Sequence, residues 1–460
     1  MTDHDVSRRT LFRAAGVGAA VVGGGALLEA CSSGIQGAAS STPTTSSSGG
    51  GSSAASTSKE IKIGWIHPLT GSLAGFGYPD NWVLQQVMAT SQFKNGIKAG
   101  GSTYSVTVKS YDTQSSVTRA GSLAKQAIQQ DNVDLLFASS TPETVNAVAS
   151  QAETLGTPLI CSNIPWESWY VNLGGNPQKP TLTPKWTVMY FLGAEHLAGC
   201  FIPMWNRIGK GSNNHKVAAA FPNDADGNAF RAVFPPILKS AGYTIDMSTA
   251  YPDGLTNYTS MISQFKSHGD EFFTNGPLPP DFATMWTQAL QQGFKPKLAT
   301  VAKVLLFPTD AYAMGSKAYN IATDAWWVPE LPWHSSLDGK TCAELGAAFT
   351  AAGHGQPNAN ISNLTLFEIA YAALTAVNNP HDKAELAAAL FKVKLPEAVA
   401  GPIDYTSTDA KTNPAPGVAI TPPIGIQWQK GTKYPLEAKV VDNTLQPNAK
   451  ITGDLLPTFS

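Results

Sequence analysis

Short apolar runs alternate with longer amphipathic stretches along most of this chain, and the alternation starts twice. "IKIGWI" (residues 61–66), "YSVTVKSY" (104–111), "VDLLFA" (133–138) and "PLIC" (158–161) are β-rich and apolar, as strands covered on both faces must be. Between them residues 82–93, 117–130 and 144–155 read as helices. Strand-helix alternation at this spacing demands right-handed crossovers and a parallel sheet. The pattern resumes with a strand at "KVAAAF" (216–221), a helix over 228–240 broken by Pro235 and Pro236, a strand at "EFFTNG" (271–276) and a helix over 281–292. A second α/β lobe is the consequence. Residues 365–379 form a further helix with a broad apolar face, and the stretch from Ala400, rich in Pro, Asn and Thr, is expected to hold loops and short strands.

At 43% hydrophobic and 14% charged residues, the chain has the composition of a globular protein with a sizeable core. Single cores stop growing near about 250–300 residues, so the body from about Glu60 onward divides in two. The expected division gives residues 59–187 plus 329–400 to a first lobe, 188–328 plus 401–430 to a second, and 431–460 to a C-terminal extension. A net charge of −2 without a basic stripe argues against nucleic acid as a partner. Apart from Cys31 the cysteines are Cys161, Cys200 and Cys342, without metal-type spacing. One disulfide is compatible with an oxidising compartment, and the sequence does not say which. No metal site or cofactor is expected.

The first residues carry their own signal. "SRRTLFRAAGVGAAVVGGGALLEACSSG" has a basic start with Arg8 and Arg9, then an Ala/Gly/Val run over residues 14–28. At about 1.5 Å per residue that run is too short for a hydrocarbon core of about 30 Å. It reads as an export signal over residues 1–31, and the twin arginine resembles the twin-arginine route. Leu28, Glu29, Ala30 and Cys31 resemble a bacterial lipobox with Cys31 as the lipidated residue, although Glu29 is unusual there. The other reading is an ordinary cleaved signal with an incidental cysteine. Residues 32–58 are almost wholly Ser, Gly, Ala and Thr and are expected to form a disordered tether with a reach of about 30 Å.

Three loops between strands and helices bear polar groups. "PLTGSLAGFG" (68–77) offers backbone N–H groups at a helix start, or simply connects a strand to a helix. "YDTQSS" (111–116) is suited to capping. "ASSTPET" (138–144) puts the hydroxyls of Ser139, Ser140 and Thr141 at the carboxyl end of a strand, where open α/β sheets bind ligands.

Taken in order with "LGTPLICSNIPWESW", "FPNDADGNAF", "MISQFKSHGDEFF", "TQALQQGFKPK" and "GIQWQKG", these segments resemble the periplasmic substrate-binding proteins of the leucine/isoleucine/valine type that serve ABC importers. The resemblance implies an α/β fold of two doubly wound Rossmann-like lobes joined by crossover hinge strands, the type I periplasmic binding protein fold. It implies a monomer that closes on a small ligand without a cofactor and hands it to a membrane permease. With the lipobox, it implies an exported cell-membrane lipoprotein facing the periplasm or the cell exterior.

Residue by residue, the family's carboxylate-binding hydroxyls match Ser139, Ser140 and Thr141, with the turn at Asn163, Ile164 and Pro165. Its pocket aromatic matches Phe76, and a second-lobe contact loop falls at Gly276, Pro277 and Leu278. Asp226, before Gly227, replaces the family's tyrosine. The acid that usually receives a ligand ammonium falls at Ala302 and Lys303, neither acidic. A desolvated ammonium needs a compensating acceptor, so an amino acid is no longer the default ligand unless Asp226 supplies one. The hinge contact falls near Tyr190 and Phe191, and Trp166, Trp169, Tyr190, Phe191 and Phe76 either enclose an aromatic ligand or pack the seam between lobes. The expected ligand is an aromatic or apolar carboxylate before a branched-chain amino acid.

An enzyme is not expected. The chain has no G-x-S-x-G elbow and no H-E-x-x-H pair, and Glu195-His196 lacks a second histidine one turn on. A hydrolase triad scattered through the chain is the weaker alternative, and a ligand-sensing receptor of the same fold the stronger one.

Overall fold

A computed structural model describes residues 59–460. The export signal, Cys31 and the tether lie outside the described residues. The first sheet begins with β1 (Glu60–His67), β2 (Ile97–Ala99), β3 (Ser102–Asp112), β4 (Leu135–Ser139), β5 (Leu159–Ser162) and β6 (Thr187–Phe191). The second takes β7 (Lys216–Ala220), β8 (Thr244–Met247), β9 (Phe272–Asn275), β10 (Leu298–Val301) and β11 (Ala322–Ala325). After a two-stranded pair, β12 (Lys394–Leu395) with β13 (Ile403–Asp404), β14 (Val418–Ile420) rejoins the first sheet, and β15 (Ile424–Lys430) and β16 (Leu436–Asp442) complete the second.

Each sheet has seven strands, in the orders β14-β6-β5-β4-β1-β3-β2 and β16-β15-β11-β10-β9-β7-β8. The parallel core of one is therefore the topological repeat of the other. Both reverse direction beside their first strand, between β1 and β4 and between β7 and β9. That switch point opens a crevice at the carboxyl ends of the strands. Central strands carry buried apolar residues throughout: β4 reads LLFAS and β6 TVMYF, every residue buried. Trp65 lies opposite Phe137 and Ser110 in the parallel ladders of β1.

The chain passes between the sheets three times: after β6, after β11, and between β14 and β15. These crossings correct the expected lobe boundaries. β6 belongs wholly to the first sheet, because it pairs with β5 on one side and β14 on the other. Residues 418–420 therefore sit in the first lobe. Residues 431–460 are no extension, since β16 pairs antiparallel with β15, and Thr458 Oγ1 accepts the Ala299 N–H at 2.8 Å. A three-residue strand such as β14 carries no periodicity to read.

Two helices also depart from expectation. The helix Ala225–Ser240 runs through Pro235 and Pro236 as one element. Each proline removes one internal hydrogen bond, yet Phe230, Phe234 and Leu238 are buried along one face and hold the helix against its lobe. The expected helix over 82–93 is two: Asp80–Ala89 ends where Thr90 turns to extended backbone and its hydroxyl bonds the Val87 carbonyl at 2.7 Å, and Ser91–Lys94 is a separate turn. Cys161, Cys200 and Cys342 are buried and free.

Candidate functional site

Side chains from both lobes meet at the crevice. The loop after β1 delivers Phe76, the loop after β4 Thr141 and Pro142, the loop after β5 Asn163 and Pro165, and the end of β6 Phe191. The opposite wall holds Asp226 and Phe230 from the helix after β7, Lys303 after β10, and Asp324 and Trp326 at the end of β11. These side chains close in on a cavity of about 40 Å³. That volume suits a water or two and no metabolite. A larger guest fits between these walls only if they part. A separate cleft of about 450 Å³ lies between the helices Trp166–Asn172 and Ala225–Ser240.

One wall is aromatic. Phe76 meets Phe307 edge-on with centroids 4.9 Å apart and lies parallel to Trp326 at 6.3 Å, while Phe191 meets Trp326 at 5.1 Å. The first lobe's Phe76 thus packs directly against rings of the second lobe and the hinge. Such offset and edge-on contacts suit a flat apolar guest as well as one another.

The other wall is ionic. Lys303 Nζ lies 3.2 Å from Glu143 Oε1, 2.8 Å from Asp224 Oδ2 and 2.9 Å from Asp226 Oδ2. Glu143 stands in the first turn of the helix Pro142–Leu155, whereas Asp224 caps and Asp226 opens the helix Ala225–Ser240. Acids at helix starts face the positive end of the peptide dipoles. Three donors on one ammonium meet three carboxylates, so Lys303 is fully engaged. Because Glu143 comes from the first lobe, this cluster ties the lobes together. The three carboxylates have oxygens within 4.8 Å of one another, the spacing of a cation cage, and the cation they hold is the Lys303 ammonium.

The charges shift one another. Burial raises Asp226, and despite the Lys303 charge its carboxyl is pushed up to about 7, with Glu143 and Asp224 adding to the rise. Burial is the largest single influence on Glu143 and raises it, but the Lys303 charge and the hydrogen bonds to the carboxylate together hold it below its ordinary value. Burial would lower Lys303, and the charges of Asp226, Glu143 and Asp224 instead hold it well above its usual range. Lys303 and Asn163 both adopt left-handed backbone, with φ of +66° and +65°. Such positions cluster at ligand clamps.

The sequence-based candidates divide. Phe76, Thr141, Asn163, Pro165, Phe191, Asp226 and Lys303 line the cavity. Ser139 does not: its hydroxyl accepts from Trp65 Nε1 at 3.1 Å and Asn363 Nδ2 at 3.3 Å behind the wall. Ser140 is buried beside the lining with an unpartnered hydroxyl. Ile164 is a core residue. Trp166 donates to Glu195 Oε1 at 3.1 Å and packs the seam, and Trp169 is wholly buried. Tyr190 points into the first lobe, where its hydroxyl donates to the Ser362 carbonyl at 3.0 Å. Gly276 lies under Phe230, which a Cβ there would approach to 2.5 Å, and neither it nor Pro277 lines the cavity. His196 Nδ1 accepts the Gly193 N–H at 3.1 Å, a local cap. The sequence reading missed Glu143, Asp224, Phe230, Asp324 and Trp326. Asp224 stood in a quoted motif two residues from Asp226, while "TDAWW" carried no motif at all.

Two doubly wound lobes, three crossings and a crevice walled from both sides define a two-lobed clamshell architecture. The chain belongs to the periplasmic binding protein family, whose pattern it matches over residues 60–419. That family consists of exported, extracytoplasmic binding proteins. A relative, Leu/Ile/Val-binding protein homolog 7 of Brucella abortus, is 24% identical over 247 residues, or 52% of this chain. The chain spans 57% of that relative's length. Among solved structures, a leucine binding protein from Thermotoga maritima superimposes with a TM-score of 0.66 at 16% identity, covering 83% of this chain and 98% of that one. An ABC-transporter solute binding protein from Rhodopseudomonas palustris, in complex with 3,4-dihydroxy benzoic acid, gives 0.63 at 16% identity over 87% of this chain and 99% of that one.

Proposed function

We propose that this protein is a lipid-anchored solute-binding protein that captures an aromatic or apolar acid outside the cell and delivers it to an ABC importer, without catalysis. The observation that carries this reading is the aromatic wall of Phe76, Phe191, Phe307 and Trp326 facing the start of the helix Pro142–Leu155 across a closable crevice. A carboxylate end is received by the hydroxyls of Ser140 and Thr141 with the N–H groups of that helix start. The rings hold the apolar body. Lys303 already neutralises part of the acidic cluster, so a ligand ammonium is not required there. Cys31 carries the anchor, and the closed form is what the permease recognises. Binding free energy shifts an open-closed population, so ligand must favour the closed state.

A thermal-shift comparison of the full chain tests the ligand class, with benzoate, phenylacetate, phenylalanine and leucine as probes. At about 100 times its dissociation constant a ligand adds about 2.7 kcal/mol to stability. Higher melting temperatures with the amine-free aromatic acids support the reading. A shift with leucine alone replaces the ligand class, and no shift with any small acid or amino acid overturns it.

A further inference from the structure

Two buried polar atoms at the end of β11 have no partner in the protein. Asp324 Oδ1 and Trp326 Nε1 make no hydrogen bond, although Asp324 is only 3% and Trp326 only 4% exposed. Both residues line the crevice. One is an acceptor and the other a donor, two residues apart where the chain leaves the sheet.

A buried polar atom left without a partner has lost its water and gained no hydrogen bond in return. Two together at a ligand-facing edge are a demand for one complementary group. A carboxylate offers only acceptors and opposes Asp324 in its ionised form, and an ammonium offers only donors and leaves Trp326 unmet. A hydroxyl satisfies both at once, donating to Asp324 and accepting from the indole N–H. Around the pair stand Phe76, Phe191 and Phe307, ring against ring with Trp326. Burial pushes the Asp324 carboxyl up to about 7, so near neutral pH it is in part ionised, and in that form Oδ1 accepts from a hydroxyl.

We infer that the crevice selects a hydroxylated aromatic, with Asp324 and Trp326 as the residues that read its hydroxyl. This rests on the solute-binding reading above and adds what distinguishes one aromatic ligand from another. The carboxylate end remains with Ser140 and Thr141. The hydroxyl end lies against β11 and the hinge that follows it, so the ligand touches both lobes and the crossing between them.

Titration calorimetry on the full chain with matched pairs tests it: 4-hydroxybenzoate against benzoate, and tyrosine against phenylalanine. In at least one pair the hydroxylated member is expected to bind ten-fold or more tighter, because sites built to pair a hydroxyl strongly reject the analogue that lacks it. Asp324→Asn and Trp326→Phe should each shrink that ratio, and Trp326→Phe serves if the Asp324 variant does not fold. Equal affinities within both pairs overturn the inference while leaving a working binding protein, because water then fills the role assigned to the hydroxyl. Binding of leucine but of no aromatic member overturns it as well. Failure of every probe, leucine included, overturns the solute-binding reading itself.

Discussion

Asp324 concentrates what a single buried side chain does here. Its carboxyl is raised from an ordinary value of 3.8 to about 7 by burial. The folded chain therefore holds a proton at this position that the unfolded chain has released between about pH 4 and pH 7. Stability due to this group is present at the acid end of that window and is lost as pH rises through about 7. Asp324→Asn removes the titration. Urea denaturation at pH 5 and pH 8 is expected to show wild type losing more stability between the two than the variant, and an equal loss would refute the assignment. Ser139 makes the opposite point. The sequence presents it beside Ser140 and Thr141 as a ligand hydroxyl, yet Trp65 and Asn363 already occupy it. Ser139 is the last residue of β4, whereas Ser140 and Thr141 lie beyond the strand in the turn that starts the next helix, so the three hydroxyls do not share one environment.

At the scale of elements the two lobes repeat a constraint along with their topology. A Cβ on Gly77 would lie 2.3 Å from the Pro68 carbonyl oxygen, and one on Gly227 would lie 2.1 Å from that of Pro222. In each lobe a proline follows the first strand and a glycine lets the next helical segment close down on its carbonyl. That approach seats Phe76 in one lobe and Asp226 in the other at the crevice. Gly227→Ala is expected to push the start of the helix Ala225–Ser240 outward and draw Asp226 away from Lys303, costing about 1–3 kcal/mol as overpacking does. Thermal denaturation with ligand titration checks it: melting temperature and affinity should both fall. The continuity of the same helix through Pro235 and Pro236 shows the limit of local rules. Proline weakens a helix at two bonds, and three buried apolar side chains along one face outweigh that.

For the molecule as a whole the contact that matters most is the one Lys303 makes across the crevice. Its ammonium joins Glu143 of the first lobe to Asp224 and Asp226 of the second. Removing one member of a buried ionic cluster costs about 3–5 kcal/mol, because the remaining charges stay buried without compensation. Lys303→Met leaves three carboxylates facing one another across the lobes. It is expected to lower stability in urea denaturation and, by mutual repulsion, to raise the radius of gyration measured by small-angle X-ray scattering without ligand. An unchanged radius would mean that the remaining contacts between the lobes, those of Phe76 among them, suffice to keep them together.

The sequence by itself determined the parallel α/β sheets, the restart that makes two lobes, and the strand-end loops at which the crevice forms. These follow from local patterns: apolar runs of strand length, helices of amphipathic period, and glycine and proline between them. The strand-end position singled out Thr141, and the family resemblance singled out Phe76, Asn163, Pro165, Phe191, Asp226 and Lys303, all of which line the cavity. Only the tertiary structure decided that Lys303 is itself the cation of an acidic cluster, that Ser139 and Tyr190 are spent inside the first lobe, and that Asp324 and Trp326 are left unpaired. Glu143, the neighbouring pair Asp224 and Asp226, and Lys303 come from three distant parts of the chain and meet only across the two lobes. Whether a buried polar atom has a partner depends on everything packed around it, and no pattern of neighbours along the chain contains that.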